Sequence, residues 1–430
     1  AITGASTINF LLGVTGGLRS TAWNTAWTGT VPANSVVNVA NEVEDVLPNG
    51  FGIGAANMLN TKLHLGENVR LLQNYNESGT FNDAIQIGEL TGAASSYLEG
   101  GWVDGRGREW QIGSLNTDAV FDGGIRGYHK FTAATDTTPE VITSGTSAIR
   151  LTKVGTGKWT VNGVVELPNS SRWTNTAGTT YETYGSITVN AGILELSNKV
   201  RFPVDNTIAH TVTVKTGATL ILKDSLTAPR SNAITLTVDT IAFFNPNNQY
   251  IGANNIDIKG TLESGIFAGT NISFYDKSTV KLKVNTFDDG DYEQIQAEGD
   301  ISVIAGAVID ITVATPTANK PIPLFVSVSA DPTLVCRKVL VNGVDITANT
   351  EANTAEGYIW LVDVDGLGTG ELLYVSPTGL NNPNADKAIS TIQYFDIIGR
   401  QVSENSKGVV IKHIIYEDGT SYNQKLFIKE

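Results

Sequence analysis

An all-β chain wound as a solenoid is the fold class this sequence predicts, and three observations carry the prediction. The first is the text of residues 150–197, RLTKVGTGKWTVNG, then a polar loop with paired tyrosines, then YGSITVNAGILELS. Leu151, Val154, Trp159 and Val161 belong to one alternating run, and Ile187, Val189, Ile193, Leu194 and Leu196 to another. Alternation gives one buried and one wet face, so these are strands. Gly155, Gly157, Gly185 and Gly192 punctuate them, as a chain needs where it turns sharply or meets a neighbouring backbone. The second is recurrence. Gly192 and Gly217 are 25 residues apart, and Gly260 and Gly306 follow after 43 and 46, each close to two such steps. The third is composition: 44 glycines, one methionine and 17% charged residues suit short strands and turns rather than helices. At 430 residues the chain exceeds the roughly 250–300 at which one compact core stops growing, whereas a core extended in one direction has no such limit.

Taken in order, residues 1–50 read as an N-terminal cap or first coils. Trp23 and Trp27, four apart, serve either to cover the terminal strand edges or to stack on carbohydrate. Residues 51–286 read as the solenoid. KLHLG, VRLLQ, AIQIGEL, EWQIGSL and AVFDGGI alternate with Asn-, Gly- and Ser-rich corners, and HTVTV, AITLTV, NNIDIKG and STVKLKV continue the pattern. Were residues 50–310 all coil, about ten to thirteen turns at about 4.8 Å would make a rod roughly 50–60 Å long. Residues 287–376 read as closing coils and cap, 377–387 (PTGLNNPNADK) as a linker, and 388–430 as a separate small unit.

The totals exclude some functions. A net charge of −14, with a pI near 4.8, argues against nucleic acid, which is bound by clustered Lys and Arg. No apolar run reaches membrane-spanning length. The chain opens on Ala1, from which we expect a processed or trimmed N-terminus whose export signal is gone. Cys336 is alone, so it forms no intrachain disulfide or cysteine metal cluster and reads as a small buried hydrophobe.

The pattern L-x-K-x-G-x-G-x-W-x-V (Leu151, Lys153, Gly155, Gly157, Trp159, Val161) followed by Y…G-S-I-T-V-N-A-G-I-L-E-L resembles the passenger-associated repeat of autotransporter-like surface proteins. The preceding IGELTG and IGSLNTDAVFDGGI resemble the segment before that repeat, so the likeness spans about residues 59–197. FDDGDYEQIQAEGDISVIAGAVIDITV resembles the closing coil of such passengers. The resemblance implies a right-handed parallel β-helix and surface exposure.

The tail resembles the C-terminal sorting domain of type IX secretion cargo in Bacteroidota. It carries Y-x-D-I-x-G-R-x-V (Tyr394, Asp396, Gly399, Arg400, Val402), K-G-V-V-I-K (Lys407, Gly408 onward) and Y-E-D-G-T with Asp418 and Gly419. These are three alternating strands joined by glycine turns, and the expected form is a small β-sandwich. The resemblance implies recognition by the secretion machinery, including its outer-membrane shuttle barrel, and delivery to the cell surface or beyond.

Candidate chemistry is thin. The densest cluster is GGWVDGRGREW, where Trp102 and Trp110 could stack sugar rings and Arg106 and Arg108 hold carboxylates beside Asp104 and Glu109. A structural corner explains the same text, since the passenger repeat tolerates a similar G-W…G-R turn. His64, His129, His210 and His413 are scattered without metal-binding spacing and read as surface or edge-strand residues. Asp288, Asp289 and Asp291, and Asp363 with Asp365, lack a full calcium-loop pattern, so we expect neither metal nor cofactor. Thr137, Ser225 and Thr240 follow aspartates in a short pattern resembling Bacteroidota O-glycosylation sites. The expectation is a structural or adhesin-like surface rod that meets extracellular glycans or neighbouring proteins. Its rivals are a β-helix polysaccharide lyase or glycoside hydrolase, and a stalk displaying another domain.

Overall fold

The computed structural model describes residues 5–12, 35–41, 49–53, 58–73, 84–100, 109–127, 129–132, 141–144, 149–167, 171–174, 180–183, 185–202, 210–227, 234–239, 243–245, 250–263, 266–297, 299–327, 333–349, 357–362, 369–375, 388–396, 398–403, 406 and 408–428. Among them every regular element is a strand and no helix forms. Most strands join one large sheet, and its pairings are parallel until the last few strands.

Between residues 109 and 227 each repeat supplies three strands, such as Arg150–Lys153, Lys158–Val161 and Val165–Glu166. Each strand pairs in parallel with its counterpart in the next repeat: Ser186–Val189, Ile193–Leu196 and Val200–Arg201. Three ladders result. The register lines up like with like, because a one-residue slip would turn every apolar side chain outward. In the first ladder Ile85, Trp110, Leu151, Ile187, Val212, Leu236, Ile256, Ile272 and Ile301 are successive partners, all buried. In the second, Trp159, Leu194 and Leu220 line up, and in the third Leu71, Leu98, Ile125, Val165, Val200 and Leu226. Their inward faces fill one continuous apolar cluster from Val37 to Leu372.

The step between partners is 25 residues from Ile187 to Val212 and 24 from Val212 to Leu236, as the glycine spacing predicts. Elsewhere it is not constant. It falls to 16 between Ile256 and Ile272 and grows to 36 between Leu151 and Ile187, where Ser171–Thr174 and Thr180–Thr183 form an inserted hairpin.

The parallel ladders end in antiparallel strands. Thr369–Tyr374 runs against Pro321–Ser327, and Tyr358–Val362 runs against Thr369–Tyr374. Phe274, Phe325 and Trp360 stack edge to face beneath this closure, at 6.2 and 5.9 Å. Val344–Asp345 folds back on Lys338–Val341 through Asn342 and Gly343, both left-handed, the two-residue turn that matches strand twist.

The tail differs from expectation. Gln401–Val402, Ile389–Asp396, Gly408–Tyr416 and Ser421–Ile428 form, in that order, a single antiparallel sheet. A sandwich needs two sheets, and the described residues supply one. Val410, Ile414 and Tyr416 are buried in this sheet, while Ile392 and Ile389, the cross-strand partners of Ile414 and Tyr416, are exposed.

Candidate functional site: the loop-bearing edge

The three corners of each repeat are unequal. Between residues 109 and 227 the chain turns from first- to second-ladder strands in six residues or fewer (113–118, 154–157, 190–192, 215–218) and from second to third in three or fewer (122–123, 162–164, 197–199, 223–225), whereas farther on residues 285–294 make a longer second-to-third connection. The return from third to first ladder is where length accumulates: residues 74–84, 100–108, 127–149, 167–185 and 202–209. The third-ladder strands Val69–Gln73, Tyr97–Glu99, Gly124–Arg126, Val165–Glu166 and Val200–Arg201 are parallel neighbours, so all these insertions leave from one edge. Two of them hold hairpins outside the large sheet, His129–Thr132 with Val141–Ser144 and Ser171–Thr174 with Thr180–Thr183. Insertions carry binding surfaces most readily on one face of a repetitive scaffold.

At the root of this edge lies a cluster that the sequence reading did not single out. Glu99 is fully buried and bridges two cations: Arg70 donates through Nη2 to Oε2, and Arg126 through Nε to Oε1 at 2.8 Å. The Arg126 guanidinium also lies 3.4 Å from the centroid of the Tyr97 ring. Alternation places Tyr97 and Glu99 outward, since Leu98 points into the core, and yet Glu99 has no exposure. A polar outward position gave no sign of burial, and its partners lie 29 and 27 residues away.

The opposite, tight corner explains the repeat motif. Lys153 follows Leu151 by two, so its stem points inward where its neighbours in the ladder are Ile112 and Val189. It is fully buried, and its Nζ curls into the corner to donate to the carbonyls of Val154 (2.6 Å), Gly155 (2.8 Å) and Ala191 (3.4 Å). Burial pushes this amine down to about 8, and the charge of Asp118 works the other way. Gly155 is left-handed (φ 72°) and stacks on the carbonyl of Gly113. Trp159 is buried and its indole N–H reaches the carbonyl of Leu90 at 3.2 Å. Each residue of the motif therefore holds a corner or fills the core.

The expected sugar cluster is not assembled as written. Trp110 lies wholly inside the core between Ile85 and Leu151, so it offers no ring face to a ligand, and that assignment is corrected. Trp102, Arg106, Arg108 and Asp104 lie outside the described residues. Glu109 accepts from Gln111 at 3.1 Å. His210 is a core residue, not a surface one: its Nδ1 is 3.2 Å from the carbonyl of Gly185 and its ring 5.0 Å from Phe202. His64 is exposed beside Thr91, and His413 is half-buried beside Asn423. Asp288 and Asp289 share Lys320, and Asp291 accepts from Thr286 and Asn285, the Thr286 bond foremost, which holds its carboxyl below the usual range. Among the described residues no three His, Cys, Asp or Glu converge on a metal position, and Asp363 and Asp365 lie outside them. Cys336 is half-buried, and burial pushes its thiol up. Ser225 sits in a tight corner and donates to Asp224, while Thr137 and Thr240 lie outside the described residues.

In the tail, the motif residues form turns. Asp396 Oδ1 accepts from the amides of Ile398 (3.0 Å) and Arg400 (2.9 Å), and Oδ2 accepts from Arg400 Nε (2.7 Å). These bonds, the Arg400 amide foremost, hold the Asp396 carboxyl below its ordinary value. Gly399 is left-handed (φ 82°), and Tyr394 faces Val402 across the hairpin. Asp418 likewise accepts from the amide and hydroxyl of Thr420, with Gly419 at φ 79°. Gly408 pairs with Ile428, and Lys407 lies outside the described residues.

Among the described residues no helix is long and apolar enough to cross a membrane. No protein-family model matches the chain, and no curated protein matches it either.

Proposed function

We propose that the ladders wind into a right-handed parallel β-helix whose loop-bearing edge is an adhesive surface for extracellular glycans. The observation that carries this reading is the asymmetry of the corners between residues 58 and 227: two take six residues or fewer, and the return from third to first ladder takes eight or more in every repeat. A purely structural rod has no need to gather its insertions on one side. The edge is also rooted on a buried charge cluster around Glu99, which costs desolvation and holds the loop roots at fixed spacing. The tail, with its Asp396 and Asp418 turns, acts as a type IX sorting signal read by the secretion machinery and its outer-membrane shuttle barrel, which places the rod at the surface of a Bacteroidota cell.

A panel of neutral and acidic polysaccharides, scored for binding and for chain shortening, tests the surface role. Binding without shortening supports the adhesive rod. Shortening that disappears in an Arg106→Ala, Arg108→Ala double variant would replace it with an enzyme. Removal of residues 388–430 tests the sorting role: normal surface display of the truncated chain would refute it.

A further inference from the structure

We propose that the outward face of the first ladder, beside the loop-bearing edge, is the floor on which a neutral polysaccharide chain lies along the rod; this rests on the glycan-binding reading above. Two outward columns flank the buried column of Leu151, Ile187, Val212 and Leu236. One holds Thr152, Thr188, Thr213 and Thr237, and the other holds Ser186, Thr211 and Thr235. The insertions 167–185 and 202–209 run straight into the strands of Ser186 and Thr211, so this face begins where the loop-bearing edge ends.

Every side chain of this array is an uncharged hydroxyl, and none of them has a hydrogen-bond partner among the described residues. Their neighbours on the same ladder do bond. Before Thr152, Gln86 donates to Gln111 at 2.9 Å and Gln111 to Glu109 at 3.1 Å; after Thr237, Asp257 accepts from Tyr275 at 3.2 Å. The other two ladders carry charge beside the array, with Glu195 bridged to Lys158 at 3.0 Å on the second and Glu166 next to Arg201 on the third.

Thr152 points to a ligand most directly. Alternation sets it outward, yet it is only 4% exposed. Buried polar groups are ordinarily hydrogen-bonded, and a sugar hydroxyl lying along the column supplies that bond. The rest of the array is half-buried and open to a long ligand. Threonine and serine hydroxyls both donate and accept, as sugar hydroxyls do. Threonine is stiff at χ1, so it loses little freedom on binding. Rungs about 4.8 Å apart repeat the same contacts along the axis, which favours a polymer held at many points over a single sugar. With no cation in the array, a uronate gains nothing here.

The full chain is run by affinity electrophoresis through gels carrying hydroxyethyl cellulose, mixed-linkage β-glucan or galactomannan, with polygalacturonate as the acidic comparison. A Thr188→Val, Thr213→Val, Thr237→Val variant removes hydroxyls and keeps strand-forming side chains. A Thr219→Val, Thr261→Val, Thr279→Val variant makes the same change in one outward column of the second ladder. The expected result is retention of the wild type in at least one neutral gel, weakened at least tenfold in the first variant and kept in the second. Urea midpoints report folding. Should the first variant's midpoint fall, Thr213→Val alone decides, with retention expected to drop at least threefold at an unchanged midpoint.

Undiminished retention in the first-ladder variants, or equal loss in the second-ladder variant, would overturn the floor while leaving glycan binding standing. Retention by polygalacturonate alone would overturn it too. No retention in any gel would sink the glycan reading and the floor together.

Discussion

Stacked corners make a quantitative demand on three glycines. At Gly217 the backbone is left-handed (φ 77°), and an added Cβ would meet nothing within 4 Å. Alanine there is opposed only by its own backbone, at about 1–2 kcal/mol. At Gly157 no left-handed angle is required, but a Cβ would lie 2.3 Å from the carbonyl oxygen of Thr117 in the rung below, well under the 3.0 Å that real Cβ atoms keep. That is overpacking, at about 1–3 kcal/mol. Gly155 meets both penalties, with φ 72° and a Cβ 2.0 Å from the carbonyl oxygen of Gly113. If the penalties add, Gly155→Ala loses about 2–5 kcal/mol. The assay is urea unfolding followed by tryptophan fluorescence, since Trp110 and Trp159 are both fully buried beside this corner. The expected order is Gly155→Ala as the worst, with the other two milder. Gly155→Ala no more damaging than Gly217→Ala would refute the claim that adjacent repeats stack backbone on backbone here.

Three further outcomes follow from the same geometry. Lys153 gives up its proton near 8 when folded, against 10.5 for an ordinary lysine. Between those values the unfolded chain binds more protons, so this residue makes stability rise with pH there and leaves it flat below about 8. Wild type should gain on Lys153→Met by at most about 3 kcal/mol between pH 8 and 10, read from urea midpoints at each pH, and parallel curves would contradict this. Glu99→Gln removes the buried negative charge that Arg70 and Arg126 share at the loop edge and should cost about 3–5 kcal/mol, visible as a lowered melting temperature; a loss below 1 kcal/mol would show that the cluster is well solvated. Asp396→Ala removes the acceptor for the amides of Ile398 and Arg400, so hydrogen exchange of that turn should accelerate several-fold while the ladder strands are unaffected. The wild-type carboxyl sits below its ordinary value, so its support is present at neutral pH and fades as the pH falls through the folded value.

Much of the fold was legible because it is local. Strands such as Ser186–Val189 and Ile193–Leu196 announce themselves by alternation, and their inward residues are those that are buried. Gly192 and Gly217 mark corners and are left-handed there. Lys277 shows where this signal fails: it occupies the corresponding corner before Thr279–Val284 at φ 67°, with no glycine to announce it. Asp396, Gly399 and Arg400 could be read as a turn because all their partners lie within four residues.

The candidate site was harder to read, for a physical reason. Trp110 has the same identity whether it stacks on a sugar or fills a core, and only its partners Ile85 and Leu151 decide between them. Lys153 looks like a surface cation until the carbonyl of Ala191, 38 residues on, closes over it. By itself the sequence determined what each short segment does with its own backbone: extended where β-branched and apolar residues alternate, turned where glycine or an Asp acceptor allows it. Which segments meet was decided only in the tertiary structure. A parallel rung takes its hydrogen bonds from the next repeat, and insertion lengths set that distance, from 16 residues between Ile256 and Ile272 to 41 between Trp110 and Leu151. Insertion length leaves no local signature, so the alignment of loops along one edge, and the buried charges at its root, exist only once the ladders are in register.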